Sequence, residues 1–110
     1  MDCIFCRIIL GEISSSFVKE TKNIIVIKDV NPKAPTHYLI IPKKHIVDLR
    51  DFSQEDKELA GDILLMAKEL SNNLVHPGDF RLIANNGQSA GQSVLHFHFH
   101  FISGKKLSDF

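Results

Sequence analysis

The chain has 110 residues, 44% apolar and 24% charged with only 4 prolines, the composition of a folded globular unit and not of a disordered tail. That length predicts one domain over residues 1–110, able to bury roughly 65% of its unfolded surface without disulfides. The 13 basic residues balance 13 acidic ones, so no global field holds a nucleic-acid backbone, and a polymer partner is not expected. A small phosphorylated ligand stays open, because a local nest of backbone amides binds anions without net charge.

Met1-Asp2-Cys3 offers no basic start followed by an apolar run, so no secretory signal is expected. No apolar stretch approaches the ~20 residues that cross a bilayer, so no membrane partner is expected either. Two cysteines three apart, in a chain without an export signature, read as a metal ligand pair before they read as a disulfide. A cytoplasmic location follows from that reading.

Taken in chain order, Asp2 is placed to cap a short helix through Cys3–Leu10 that Gly11 ends. Phe17–Glu20 and Asn23–Asp29, separated by Thr21-Lys22, suit a β-hairpin. Two prolines make Asn31–Pro35 a loop. Tyr38–Ile41 reads as a third, buried strand stopped by Pro42. Ser53 with Asp56 then signals a helix start. Leu59, Ile63, Leu64, Ala67, Leu70 and Leu74 recur near the helical period, predicting one long amphipathic helix that ends near His76-Pro77-Gly78. Phe80–Ala84 is a fourth strand, Asn85–Ser93 a polar glycine-containing loop, and His96–Phe101 a strictly alternating fifth strand. Sequential hairpins with one covering helix predict an α+β fold on an antiparallel sheet.

His96-Phe97-His98-Phe99-His100-Phe101-Ile102 is the most informative segment. Alternate side chains of a strand share a face, so the histidines point one way and Phe97, Phe99 and Phe101 the other, toward the long helix. Imidazoles ~7 Å apart on one face can flank a tetrahedral phosphorus with a nucleophile and a proton donor. Imidazole suits both tasks near pH 7. The alternatives are a solvated His-rich face or a metal site made of all three rings; strict alternation favours catalysis or ligation. The preceding loop, Asn85–Ser93, is rich in small residues that can present N–H groups to an anion, although alone it reads equally as a plain connection.

These residues resemble the histidine-triad family, whose motif is His-φ-His-φ-His-φ-φ with φ apolar. The resemblance extends through Gly91-Gln92-Ser93-Val94, Asn85, Ala34-Pro35-Thr36-His37, Ile41-Pro42-Lys43-Lys44-His45 and the cysteine-bearing Cys3–Ile9 segment. It is nearest to the Hint-type (protein kinase C-interacting) nucleotide hydrolases in their cysteine-bearing bacterial form. The resemblance implies a five-stranded antiparallel sheet with one short N-terminal helix and one long helix. It also implies a homodimer that joins two sheets into ten strands.

It implies, further, hydrolysis of purine nucleoside phosphoramidates or related adenosine monophosphate derivatives through a nucleotidyl-histidine intermediate. His98 would be the nucleophile, and His100, assisted by His37, would handle protons at the leaving group. Asn85, Gly91 and Ser93, with His98 and His100, would hold the phosphate. Asp29 would accept the ribose hydroxyls, and Ile4, Phe5, Ile8, Ile27, Val30 and Leu39 would line the base pocket. Each apolar member of that set reads by itself as core, and Asp29 by itself as a strand-end turn residue. Ile27 stands where this branch commonly carries an aromatic, which implies weaker stacking on the base.

The same resemblance implies a structural zinc ion held by Cys3, Cys6, His45 and His96, a closed four-ligand set that leaves no position for substrate. Two ordinary buried thiols are the alternative for the cysteines. His76 matches nothing in the family pattern and is expected at the surface. The chain end departs from it: Ser103 and Lys105 replace a glycine and an arginine, and the chain has no tryptophan. Phosphoramidates, acyl nucleotides and dinucleoside polyphosphates therefore all remain candidate substrates. The rival from another class is a nucleotide-binding scaffold with residual hydrolysis.

Overall fold

The computed structural model describes residues 3–108. Three long-range strand pairings build its centre. β1 (Phe17–Glu20) and β2 (Ile24–Lys28) form the expected hairpin. Thr21 closes it, since its N–H donates to the Ile24 carbonyl at 2.8 Å and its hydroxyl oxygen accepts the Ile24 N–H at 3.1 Å. β2 pairs with β3 (Thr36–Pro42), β3 with β5 (Phe99–Ser103), and β5 with β4 (Arg81–Ile83). The result is a five-stranded antiparallel sheet of order β1-β2-β3-β5-β4. Between β3 and β4 the chain crosses one face as the long helix α2 (Lys57–Ser71).

Each face of the sheet buries a different helix. On one side Ile24, Val26, Ile40, Phe97 and Phe101 pack against Ile63, Met66, Ala67 and Leu70 of α2. On the other, Ile25, Ile27, Leu39 and Ile41 pack against Cys3, Phe5 and Ile8, carried by the short helix α1 (Ile4–Ile9) and its cap. Ile24 to Ile27 are all buried, because a strand covered on both faces has no solvent side. Burying a side chain such as Phe97 or Phe101 stabilises by roughly 1.5–3 kcal/mol relative to exposure.

Most strand and helix ends shift by a residue or two from expectation, and four of the differences have a physical reason. β3 includes Pro42, which pairs with Ile24 as the last residue of the strand. The β5 ladder begins at Phe99 instead of His96, because the strand it would continue along ends in a proline without an N–H. The Phe97 N–H donates instead to the Ile46 carbonyl at 2.6 Å, and the Pro42 carbonyl is taken by the His96 ring at 2.7 Å. α2 stops at Ser71, before His76, where the Ser71 hydroxyl donates to the Lys68 carbonyl at 2.6 Å and Asn72-Asn73 continue only in tight turns. The cap expected at Asp2 lies outside the described residues; Cys3 occupies the N-cap of α1, its Sγ accepting the Cys6 N–H at 3.4 Å.

The start of α2 is as expected. A tight turn over Gln54–Asp56 precedes it, and the Ser53 N–H donates to the Asp56 carboxylate at 3.0 Å. Lys44 donates to the same carboxylate at 2.7 Å, which holds the Asp56 carboxyl below the usual range. His76 is exposed, also as expected.

Candidate active site and candidate metal centre

The alternation of the histidine segment survives although its first half lies outside the ladder. Phe97 and Phe101 face α2. His96 and His98 face α1, where the Phe5 ring meets both edge-on at 5.8 and 5.1 Å between centroids. From there the three rings diverge into different surroundings.

His98 is 8% exposed, and its Nδ1 lies 2.8 Å from the main-chain carbonyl of His96. A carbonyl only accepts, so Nδ1 carries the proton and Nε2 keeps its lone pair. Burial lowers the pKa of His98; the carbonyl contact and the charge of Asp29 oppose the shift. A buried neutral imidazole with an unprotonated Nε2 is the form that can attack an electrophile.

His100 belongs to a relay. The Lys33 backbone N–H donates to His37 Nδ1 at 3.0 Å, so a neutral His37 carries its proton on Nε2. That nitrogen lies 2.9 Å from His100 Nδ1 and 3.3 Å from Asp29 Oδ2. With His100 Nδ1 accepting, the proton of His100 sits on its Nε2. Burial, then the neighbouring His98 and His37, push the pKa of His100 down to about 4. Burial lowers His37 as well, against the pull of Asp29. An anion placed beside these rings would raise both values.

Asp29, at the end of β2, has two roles in this geometry. Its Oδ1 accepts the Asn31 N–H at 2.8 Å in a side-chain turn, and its Oδ2 faces His37. The strand-end turn is therefore present, and the same carboxylate also faces the His37 ring.

A cavity of about 370 Å³ has in its wall Ile4, Phe5, Ile8, Ile27, Asp29, Val30 and Leu39, all seven residues of the expected nucleoside set, together with Ser93, His98 and His100. Ile4 and Val30 are exposed at its rim; Phe5, Ile8, Ile27 and Leu39 are buried. A second cavity of about 430 Å³ shares Asp29 and His100 with the first and adds Lys33, His37 and Asn85. His100 thus stands in the wall of both spaces, with His98 on the first and His37 on the second.

The loop from Asn85 to Ser93 uses several of its own N–H groups. Those of Gly87, Ala90, Gly91 and Gln92 donate within the loop, the Gly91 N–H to the Gln88 carbonyl at 3.0 Å. Neither the Asn85 amide nor the Ser93 hydroxyl is bonded to another described residue. Gly91 has φ +104, and a Cβ there would sit 3.6 Å from Asn85 Cγ; its contribution is backbone shape, since L side chains rarely adopt that conformation.

Sequence reasoning assigned no role to Gln92, which is 4% exposed. Its amide donates to the Val47 carbonyl at 2.6 Å and the Val94 carbonyl at 3.1 Å, and its oxygen accepts the Gly87 N–H at 2.8 Å. Ile13, Ser14, Ser15 and Asn31, also without an assigned role, join the wall of the first cavity. Nothing in a short serine run marks it as a pocket wall. A glutamine between Gly91 and Ser93 gave only the hint of a polar side chain in a loop that must be held.

Cys3, Cys6, His45 and His96 converge, their ligand atoms all within 4.8 Å of one another. Cys3 Sγ lies 3.3 Å from His96 Nδ1, Cys6 Sγ lies 3.3 Å from His45 Nδ1 and 3.6 Å from His96 Nδ1, and the two Nδ1 atoms are 3.1 Å apart. A tetrahedral zinc site with bonds of ~2.3 Å to sulfur and ~2.0 Å to nitrogen has edges of roughly 3.3–3.8 Å, close to these separations. The His96 Nε2–H donates to the Pro42 carbonyl at 2.7 Å, which leaves the Nδ1 lone pair facing the thiols. That outer hydrogen bond is the usual means of orienting a metal-bound histidine. The donor set therefore fits a structural zinc ion.

Asp29, His37 and His100 also converge within 4.8 Å. There the Lys33 N–H keeps the His37 proton on the inward nitrogen, so the space between the rings holds a proton where a cation would need a lone pair. Chemically the two clusters are opposites: one presents lone pairs to a common point, the other a chain of hydrogen bonds.

The family model described as "Scavenger mRNA decapping enzyme C-term binding" matches residues 2–110. A HIT-like protein of Synechocystis is 44% identical over 107 residues, covering 97% of this chain and 94% of the relative. The crystal structure of a HIT family hydrolase from Legionella pneumophila superposes with a TM-score of 0.93 at 41% identity, covering 98% of this chain and 97% of that one. A Zn-bound histidine triad family protein from Mycobacterium smegmatis superposes at 0.81 with 33% identity, covering 99% and 81% of the two chains.

Proposed function

The chain belongs to the histidine-triad (HIT) family, and from that premise we propose that it is a nucleotidyl hydrolase of purine nucleoside phosphoramidates or related adenosine monophosphate derivatives. The observation that carries this reading is the hydrogen bond from His98 Nδ1–H to the His96 carbonyl, which leaves Nε2 as a lone pair at a cavity of nucleoside size. In the first step that nitrogen attacks the α-phosphorus. A nitrogen–phosphorus bond to His98 forms as the bond from phosphorus to the leaving amine breaks. The amine takes up a proton from the His37–His100 relay, and the nucleotidyl-histidine cation is stabilised by the Nδ1–H that still faces a carbonyl. In the second step water attacks phosphorus and gives its proton back to the His37–His100 relay, the nitrogen–phosphorus bond breaks so that His98 departs as a neutral ring, and a nucleoside monophosphate is released.

Asn85 and Ser93 supply donors to the phosphate oxygens, and Gly91 supplies the turn that carries them. Asp29 accepts the ribose hydroxyls. Ile4, Phe5, Ile8, Ile27, Val30 and Leu39 enclose the base, with aliphatic contact at Ile27 in place of stacking. Cys3, Cys6, His45 and His96 hold zinc, whose part is to tie α1 to the sheet; the donor chemistry of that cluster supports it. We further read the protein as a homodimer, supported by the unpaired outer edge of β4 and by Leu64 and Leu65, 58% and 62% exposed on α2. A cytoplasmic location is in keeping with two free cysteines. Among the described residues, no helix is long and apolar enough to cross a membrane.

The test is turnover of an adenosine phosphoramidate by wild type and His98→Ala side by side. Turnover that falls by about 10⁴-fold or more in the variant, with adenosine monophosphate still bound, is the expected result. Nucleotide binding without turnover in either protein would reject the enzyme and favour a nucleotide-binding scaffold.

A further inference from the structure

α1 is six residues long, a length at which an isolated helix is not stable in water. Its position is therefore set by what it is tied to. Cys3 and Cys6 tie it to His45, beyond β3, and to His96, before β5. Between these two anchors stands Phe5, which is 5% exposed and edge-on to His96 and to His98. The same short helix presents Ile4, Phe5 and Ile8 to the cavity that His98 enters. His96 also stands on both sides of the boundary: its ring faces the thiols and its carbonyl holds the His98 ring.

From this shared framework we infer that metal occupancy of the Cys3/Cys6/His45/His96 cluster and nucleotide occupancy of the adjoining cavity are thermodynamically coupled, with Phe5 as the positioning residue between them. The inference rests on the nucleotide and zinc readings above and adds a link between the two sites. A metal that fixes both cysteines fixes the pitch of α1, hence the cavity wall and the ring against which His98 rests. A nucleotide filling the cavity holds α1 from its other side and so favours the geometry in which the four ligands converge. Coupling of this kind is reciprocal: each ligand changes the affinity of the other by one common factor.

The experiment uses the full chain, zinc-loaded and zinc-stripped, with adenosine monophosphate as the probe. Calorimetry gives its Kd in both states, and competition with a chromophoric zinc chelator gives zinc affinity with and without the nucleotide. The expected result is a common factor on the order of 10-fold in both directions. Phe5→Leu, which keeps an apolar side chain at that place, is expected to bind both ligands with the factor reduced toward 1. Cys6→Ser, at a half-buried ligand, is expected to weaken zinc and give the nucleotide Kd of the stripped protein. Circular dichroism of each variant reports whether the sheet is retained. Two ligands that bind wild type independently would overturn the coupling while leaving the proposed function intact. An undiminished factor in Phe5→Leu would overturn the role of Phe5. Absence of zinc binding or of nucleotide binding would overturn the underlying reading and the coupling with it.

Discussion

The main-chain carbonyl of His96 accepts the Nδ1–H of His98 at 2.8 Å, while the His96 ring turns away and donates its own Nε2–H to Pro42 at 2.7 Å. One residue thus sets the tautomer of the proposed nucleophile with its backbone and offers a ligand atom to the thiol cluster with its side chain. The divergence is available because the segment lies before the β5 ladder, which begins at Phe99, so the His96 carbonyl is left for the His98 ring.

The relay predicts a particular kinetic signature. His37→Gln removes the ring that hydrogen-bonds His100 Nδ1 at 2.9 Å but leaves the lining of the nucleoside cavity in place. The expected outcome is a fall in kcat of roughly 10²-fold with KM little changed, since a positioned proton donor acts mainly in the transition state. Steady-state kinetics with an amine-leaving substrate checks this. A substrate whose leaving group departs without a proton should lose less. Equal loss with both substrates would remove His37 from the proton pathway.

Acidification should destabilise the fold. His100 has a folded pKa of about 4 against an ordinary value of 6.5, and burial lowers His37 in the same direction. Above pH 6.5 the ring is neutral in both states and contributes no pH dependence. Between 6.5 and about 4 the unfolded chain binds a proton that the folded chain refuses, so stability falls as pH falls; below about 4 the difference saturates. Melting temperature measured from pH 7.5 to 4.5 should decline, and His100→Asn, at the same zinc loading, should decline less. A wild-type curve that is flat or rises on acidification would contradict the assignment.

Zinc should raise stability through the cysteine–histidine cluster. A ligand at 1,000 times its Kd adds about 4 kcal/mol, which for a domain of this size is roughly 15 °C or more in Tm. Scanning calorimetry of zinc-loaded, chelated and Cys3→Ser/Cys6→Ser protein measures it. If chelation leaves Tm unchanged, the four donors are ordinary thiols and imidazoles and not a metal centre.

Leu65 offers a test of assembly. It is 62% exposed on α2, beside Leu64 at 58%, and the proposed homodimer would cover both. Light scattering coupled to gel filtration should report twice the chain mass for wild type and the single-chain mass for Leu65→Glu, with Tm lowered at low protein concentration. A monomeric wild type would reject the homodimer.

How much of this was legible in the sequence follows from the range over which each force acts. Hydrophobic period and turn chemistry are local, so the hairpin at Thr21-Lys22, the helix start at Ser53 with Asp56, and the division of the histidine segment into an imidazole face and a phenylalanine face could be read directly. The candidate ligand and site residues were legible only through a pattern resembling a family, because spacing in sequence says nothing of convergence in space. Only the tertiary structure decided that the three histidines part company, His96 to the thiols, His98 to a backbone carbonyl and His100 to His37. It also decided that Gln92 staples the loop and that Gly91 keeps its N–H for Gln88. The physical reason is that a tautomer is set by the partner each ring nitrogen meets: Pro42 meets His96, and His37 meets His100, from far away along the chain, and even the nearby partners, Lys33 for His37 and the His96 carbonyl for His98, reach their rings only through the folded path of the backbone. The sequence determined which side chains share a face; folding determined which atom of each one carries the proton.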